Sequence, residues 1–435
     1  MRLHLRAAVL GCVFAAGIHT AAVAQSWKEA ALASFDEVWK TINESFYDPT
    51  FGGIDWAGVA KALRPRVASA ASNDAARVVI REMLAKLGRS HFGLLTSAPA
   101  EMLPGPASVP IEFRVSSPQT QVVVTRVTDA AATKAGLAPG QTIVSIDGNE
   151  VAGFSKGLEE LAPRPAGLEV WRRVNRALHG WDGSRSTLVV NDVGGGARTV
   201  IVSRTLTTGE VSTIGNLPPL RTDFEAREVE TPGGRKVGVI AFNIWMPALA
   251  DRIADAVDRF RGHAAIVIDL RGNPGGLAAM MGGVAGHFLA EPVALGTMRT
   301  RYAPAPLVFN ANPRTVTTDG RRVDVYRGPL AIIVDELTGS TSETFVGALQ
   351  GLGRARVFGR ATMGQALPAM TKQLPSGDVL MYAVGDFTTS SGKSLEGAGV
   401  TPDTVVPLSP RALAAGRDDP LEAALRWVDR GGQNH

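Results

Sequence analysis

The sequence of 435 residues contains a single cysteine, Cys12, which lies in an N-terminal segment that is expected to be removed. The remaining chain is therefore expected to have no disulfide, no reactive thiol and no cysteine metal site. An exported protein without disulfides depends on a sizeable hydrophobic core, which a chain of about 400 residues can supply. No metal and no cofactor is expected.

Blocks of like charge are also lacking. The 45 Lys and Arg residues and the 41 Asp and Glu residues are spread along the chain and leave a net charge of +4. Nucleic-acid-binding domains usually concentrate their basic residues, so nucleic acid is not an expected partner. A composition that is 45% hydrophobic and 20% charged is ordinary for a globular protein, and this length suggests two or three domains.

No apolar run is long enough for a membrane helix. The N-terminal run, residues 7–18, follows two arginines and precedes the small residues 22–24. This layout predicts a secretory signal peptide, residues 1–24, that is cleaved after Ala24, and hence a periplasmic or secreted protein. Residues 9–12 also fit a lipoprotein box at Cys12, but few apolar residues precede it, so lipoprotein anchoring is not expected.

Hydrophobic periodicity divides the rest of the chain into three expected domains. Residues 25–104 follow helical spacing, and a capping box at Ser26 and Glu29 predicts the start of the first helix. Residues 105–206 have the pattern of short strands and turns, including an Asp-Gly hairpin signal. Residues 207–435 alternate strands and helices, which predicts an α/β core around a buried sheet.

The first candidate for chemistry is the glycine-rich segment 271–276, between an apolar strand and a helix expected to end near Leu289. Its glycines would let backbone N–H groups turn toward a developing oxyanion. A plain strand-to-helix connector that requires positive φ explains the same glycines. The segment alone does not decide between the two.

The second candidate is Ser340, which follows the buried strand 330–334 and precedes an expected helix. A serine on such a turn is placed as the nucleophiles of serine hydrolases are. The pattern Ser340-x-x-Glu343 is also a capping box, and Ser342 is a rival nucleophile on local grounds.

A serine nucleophile requires a base. Beyond the predicted signal peptide the chain has five histidines, namely His91, His179, His263, His287 and His435. His91 lies just past the end of a predicted helix, where a loop can direct its ring toward another domain. A loop histidine is nevertheless more often an ordinary surface residue.

Six segments together resemble the family that contains the C-terminal-processing (tail-specific) proteases and the tricorn core protease. They occur in the family's order and cover nearly the whole chain after the signal peptide, at residues 35–49, 84–91, 135–148, 269–276, 340–343 and 396–403. The resemblance implies a serine peptidase with a ClpP/crotonase-like α/β core, an N-terminal helical segment and an inserted PDZ-like β-rich domain.

The resemblance also implies roles for individual residues. Ser340, rather than Ser342, would be the nucleophile. The backbone N–H groups of Thr341 and of Gly275, with Gly276 as the alternative, would stabilise the oxyanion.

The base is where the chain departs from part of this family. The tail-specific branch uses a lysine, but Gln365 occupies that place, and nearby lysines do not match the motif. The tricorn branch uses a Ser-His pair and a late glutamate, and Ser90, His91 and Glu396 stand at the matching positions. The resemblance therefore implies that His91 is the base and that Glu396, through Ser90, orients it.

The PDZ-like unit is expected to bind peptide along one strand, with Ile111, Glu112 and Phe113 as contact residues. Pro110 has no N–H to offer a terminal carboxylate, and Glu112 adds negative charge, so both argue against carboxylate capture.

The predicted function is an exported serine endopeptidase that acts on unfolded or tail-presenting proteins. A catalytically silent peptide- or ligand-binding protein of the same fold remains open because of Gln365. Hydrolysis of a non-peptide ester is a further alternative.

Overall fold

The chain forms two compact units in the computed structural model. One comprises residues up to 97 together with 300–302 and 369–384, and the other comprises the remaining residues. The structure describes residues 13–96, 104–116, 120–213, 215 and 219–432, with side chains from Trp27 onwards. The predictions for residues 1–12, which include Cys12, and for His435 lie outside the described residues.

The first unit packs helices against a small antiparallel sheet. Its helices are Val13–Ser45, Trp56–Ala68 and Asn73–Ala85, with a 3-10 turn at Phe51–Gly53. Its sheet has the strand order Gly93–Leu95, Val379–Ala383, Ala369–Gln373. Apolar side chains of the helices form one buried cluster with Leu380 of the sheet, among them Phe35, Ile42, Trp56 and Met83.

The first helix is longer than the sequence pattern predicts. It begins at Val13 and continues through Ser26 to Ser45, so the predicted start at Ser26 is wrong. The stretch 13–26 is rich in alanine and has no proline, and alanine has the highest helix propensity. Within the described part of the chain no helix has both the length and the apolar character needed to cross a bilayer.

A six-stranded sheet forms the centre of the second unit. Its first pair is antiparallel and the following pairs are parallel. Helices cover both faces, with Ala250–Phe260 and Thr341–Gly351 on one side and Asp419–Asp429 on the other. The strand order is Phe224–Glu230, Lys236–Phe242, Ala265–Asp269, Leu330–Val334, Arg356–Gly359, Thr404–Val405. The α/β core with a buried sheet is confirmed.

The helix after the glycine-rich segment is shorter than predicted. It spans Met280–Ala285 rather than reaching Leu289. Glycines weaken it, and Gly286 lies so close to the neighbouring chain that an added Cβ would be 2.2 Å from the carbonyl oxygen of Asn312. The second unit also has a three-stranded sheet with the order Leu307–Ala311, Val293–Thr300, Gly385–Thr389. A short helix, Pro410–Ala414, follows later in the chain.

Residues 105–206 form a β-rich segment of the second unit. The predicted Asp-Gly hairpin is present, with Asp147 and Gly148 both at positive φ, 47° and 81°. Strand Ile111–Ser116 lies at one edge of the main sheet. The main sheet runs Ile111–Ser116, Gln121–Val127, Thr142–Ile146, Arg185–Asn191, Ala197–Ser203, and the helices are Ala130–Ala135 and Pro163–Leu178. Further short strands are Ala107–Ser108, Asn149–Glu150, His179–Gly180, Thr205–Leu206, Glu210–Ser212 and Leu220–Thr222.

A buried histidine in the second unit predicts acid sensitivity. His287 is 1% exposed, and burial, followed by the charges of Arg314 and Arg261, lowers its pKa to about 3. Between about pH 6.5 and pH 3 the unfolded chain binds a proton that the folded chain does not. The free energy of unfolding therefore decreases as the pH falls, by about 1.4 kcal/mol for each pH unit well inside this window.

Replacing His287 by Gln is expected to make the loss of unfolding free energy between pH 7 and pH 5 smaller by about 2 kcal/mol. Urea unfolding at the two pH values measures this difference. The matched control is His263→Gln, at a partly buried histidine beside Glu228. Identical pH dependence in wild type and His287→Gln would contradict the prediction.

Candidate active site

Ser340 lies where the buried strand Leu330–Val334 turns into the helix Thr341–Gly351, which we call the Ser340 helix. Its backbone has φ 52° and ψ −121°, a region that residues with a side chain rarely adopt. Such a conformation costs about 1–3 kcal/mol and persists only where the surroundings impose it. The side chain is half-buried at the start of the helix. This is the geometry of a nucleophile elbow.

The glycine-rich segment packs directly against this elbow. A Cβ on Gly275 would lie 2.5 Å from Ser340 Cβ and 2.9 Å from the backbone nitrogen of Thr341, so only glycine fits there. The Gly275 N–H donates to Asn273 Oδ1 at 3.0 Å. Within the described residues the N–H groups of Gly276 and Thr341 have no intramolecular acceptor. The Gly276 N–H is therefore available to a ligand, whereas the Gly275 N–H already has an acceptor.

Ser342, the rival nucleophile, has a structural role. It is fully buried; its hydroxyl accepts the indole N–H of Trp245 at 2.8 Å and donates to Asn273 Oδ1 at 3.0 Å. A fully buried hydroxyl that already has a donor and an acceptor within the protein is not accessible to a peptide. The hydrogen bond to Ser342 holds Asn273 against the Ser340 helix. Because Asn273 belongs to the glycine-rich segment, this bond also holds that segment there.

Glu343 has contacts far beyond those of a helix cap. Its buried carboxylate accepts the N–H of Ser340 at 3.2 Å, of Gly364 at 2.6 Å and of Gln365 at 2.9 Å. It also accepts the hydroxyl of Thr362. Burial raises the pKa of Glu343, and these hydrogen bonds oppose the rise. The carboxylate therefore connects Ser340 to the segment 362–366.

Segment 362–366 is also hydrogen-bonded to Glu396. The Ala366 N–H donates to Glu396 Oε2 at 3.0 Å, and the carbonyl of Gln365 accepts the Ser340 N–H at 2.9 Å. Gln365, which stands in the lysine place, thus contacts the nucleophile loop through its backbone. Ser340 and Glu396 are therefore both hydrogen-bonded to the same short segment of chain.

Ser90 and His91 lie in the first unit, after the third helix. His91 has φ 60°, and its Nδ1 forms a hydrogen bond with Ser90 Oγ at 2.8 Å. This contact fixes the orientation of the ring relative to Ser90. Lys372, also in the first unit, forms an ion pair with Glu37, which raises the pKa of the lysine.

The residues predicted to contact a peptide lie on strand Ile111–Ser116, which borders helix Pro163–Leu178 (the bridging helix). Ile111 and Glu112 are half-buried, and Glu112 forms an ion pair with Arg126 at 3.1 Å. Phe113 is buried, and its ring stacks on Trp171 of the bridging helix at 5.7 Å.

The next residue of that strand, Arg114, was not singled out from the sequence. Its guanidinium forms a buried ion pair with Asp335, which also accepts the N–H groups of Gly272 at 2.9 Å and Leu337 at 3.0 Å. Burial alone would raise the pKa of Asp335, but Arg114 and then Arg360 hold it below its usual value. The only sequence signal was a charged residue inside a strand pattern.

This ion pair lines a cavity of about 490 Å³ between the β-rich segment and the α/β core. Asp335 binds both the turn before Ser340 and the glycine-rich segment. Arg114 therefore connects the β-rich segment to the two loops that form the nucleophile elbow.

Two parts of the chain match known protein families. Residues 236–406 match Peptidase family S41, and residues 28–85 match the Tricorn protease C1 domain. A carboxyl-terminal-processing protease of Picosynechococcus sp. is 27% identical over 401 residues, covering 89% of this chain and 87% of the relative. Carboxyl-terminal-processing peptidase 2, chloroplastic, of Arabidopsis thaliana is 26% identical, covering 86% of this chain and 68% of the relative.

Solved structures share the fold. Mature CPAF superposes with a TM-score of 0.67 at 13% identity and covers 94% of this chain and 99% of its own. The photosystem II D1 C-terminal processing protease has a TM-score of 0.57 at 23% identity, covering 93% of this chain and 98% of its own. The α/β core is thus a Peptidase family S41 domain, and with relatives that align along most of its length the protein is a serine peptidase.

Proposed function

We propose that this protein is an exported serine endopeptidase that cleaves unfolded or tail-presenting proteins through an acyl-enzyme on Ser340. The observation that carries the proposal is the strained Ser340 at a helix start, against which Gly275 packs. The N–H of Thr341 and that of Gly276, with Gly275 as the alternative, are the proposed oxyanion donors. Two such donors stabilise a developing oxyanion, and one donor is typically worth about 10²–10³ in rate.

The proposed base is His91. Ser340 Oγ attacks the peptide carbonyl carbon while its proton moves to His91 Nε2, and the oxyanion is held by the backbone donors. When the tetrahedral intermediate collapses, His91 gives the proton to the leaving amine, and the acyl group stays on Ser340. Water then attacks the ester by the same route and restores the enzyme.

Glu396 is proposed to orient His91 through Ser90. The hydrogen bond between Ser90 and His91 Nδ1 supports this role, because it leaves Nε2 as the ring nitrogen for proton transfer. The hydrogen bond from the Ala366 N–H to the Glu396 carboxylate also supports this role, because it restrains the carboxylate.

The substrate class rests on two supports. The relatives named above are carboxyl-terminal-processing proteases. The β-rich segment has an edge strand, Ile111–Ser116, beside the bridging helix, as a PDZ-like domain does when it adds an extended peptide to its sheet. Glu112 is paired with Arg126, so its charge repels a terminal carboxylate less than an unpaired glutamate would.

Labelling with a fluorophosphonate tests the proposal. Wild-type protein from the periplasm is expected to take up one equivalent, Ser340→Ala none, and Ser342→Ala close to one with lower thermal stability. Intact mass of the labelled protein is expected to place its N-terminus at Gln25. Uptake by Ser340→Ala would move the nucleophile elsewhere.

Gln365 in the lysine place favours a second candidate, a silent binding protein of the same fold. In that case wild-type protein would remain unlabelled and yet bind an unfolded chain. The same experiment therefore separates the two candidates.

A further inference from the structure

The loop that carries Glu396 is held locally by two hydrogen bonds, from the N–H groups of Ala398 and Gly399 to the carbonyl oxygen of Leu395, at 3.2 and 2.7 Å. Gly397 and Gly399 both have positive φ, 74° and 67°, with Ala398 between them. Glycine in such a loop allows many backbone conformations. Hydrogen bonds that reach the loop from other parts of the chain therefore add to these local ones in fixing the position of the Glu396 carboxylate.

Arg164, in the first turn of the bridging helix, provides such hydrogen bonds. Its NH1 donates to the carbonyl oxygen of Gly397 at 3.4 Å and to that of Ala398. The Gly397 N–H in turn donates to the carbonyl of Gly364 at 2.9 Å. The tip of the Glu396 loop is thus held between an arginine of the β-rich segment and segment 362–366.

Gly364 makes room for this arrangement. A Cβ at this position would lie 3.1 Å from Arg164 NH1 and 3.2 Å from the Gly397 carbonyl oxygen, and φ is 73°. The guanidinium therefore lies against the backbone of the same segment whose Ala366 N–H binds Glu396.

We propose that Arg164 is a positioning residue for peptide hydrolysis, which holds the Glu396 loop so that the carboxylate keeps its place. This inference rests on the proposed role of Glu396. Arg164 acts on the loop backbone and not on the reacting atoms. The β-rich segment would then contribute to the geometry of catalysis as well as to peptide binding.

The test compares Arg164→Ala with Arg172→Ala, an exposed arginine of the same helix whose partner is Glu169. For Arg164→Ala the limiting rate of fluorophosphonate labelling is expected to fall on the order of tenfold, with half-saturation unchanged. Arg164→Lys should recover part of the rate, because an ammonium can still donate to a carbonyl. Arg172→Ala should label as wild type does.

A double variant separates positioning from general structure. If Arg164 acts through Glu396, adding Arg164→Ala to Glu396→Ala causes no further loss of rate. A further tenfold loss in the double variant would overturn the inference. It would also be overturned if the slower labelling of Arg164→Ala disappeared at a lower temperature, where Arg164→Ala and the double variant are fully folded. If Ser340→Ala abolishes labelling but Arg164→Ala behaves like Arg172→Ala, only the inference fails. Labelling of Ser340→Ala would instead remove the proposed function itself.

Discussion

Replacing His91 by alanine is expected to lower the rate of acyl-enzyme formation on the order of 10⁴-fold or more, while the protein stays folded. A serine hydroxyl is a poor nucleophile until a base takes its proton, so removal of the base removes most of the chemistry. The single-turnover rate with a fluorophosphonate measures the loss. In wild type the same rate should fall on the acid side, where an imidazole base becomes protonated.

Two variants serve as controls for this prediction. His263→Ala removes a histidine whose partner is Glu228, and Gln365→Ala removes the side chain in the lysine place while leaving its backbone contacts to Ser340 and Glu343. Both are expected to label within a few-fold of wild type. A His91→Ala protein that labels within tenfold of wild type would mean that another group accepts the proton.

Local patterns predicted the elements of the core well. The strand Leu330–Val334 has the bounds that its apolar run indicates. Pairings between distant segments were not predictable in this way. Strand Gly93–Leu95 pairs with Val379–Ala383, almost three hundred positions away, and no periodicity in either segment identifies its partner.

The same contrast holds at the site. The elbow at Ser340 and the glycine-rich segment could be predicted, because each is a short run of residue types with a mechanical reason. The ion pair between Arg114 and Asp335 could not, because 221 positions separate the two residues and each is an ordinary charged residue in its own segment. Such contacts follow from tertiary packing, which a single sequence does not reveal.

Glu343 shows how a correct local pattern can understate a residue. The capping box predicted one hydrogen bond, from the Ser340 N–H, and that bond is present. No local pattern indicated that the same carboxylate would also bind Thr362, Gly364 and Gln365, because those residues approach only in the folded chain.

Replacing Glu343 by Gln is expected to destabilise the protein by about 2–4 kcal/mol and to slow labelling of Ser340 by about 100-fold. Glutamine keeps the size of the side chain but replaces one acceptor oxygen with an NH₂ group. Since all four partners are donors, that NH₂ group faces N–H or O–H groups in a buried site and leaves them unsatisfied. Urea unfolding and the labelling rate measure the two effects.

The matched control is Glu422→Gln, the same change in the first turn of helix Asp419–Asp429, where the carboxylate pairs with Arg426 at the surface. Its stability should stay within about 0.5 kcal/mol of wild type. If Glu343→Gln were equally harmless, the cost of burying the charge would equal the gain from its four hydrogen bonds. If it lost stability but labelled normally, Glu343 would support the fold without fixing the nucleophile, and the elbow at Ser340 would depend on the packing of Gly275 alone.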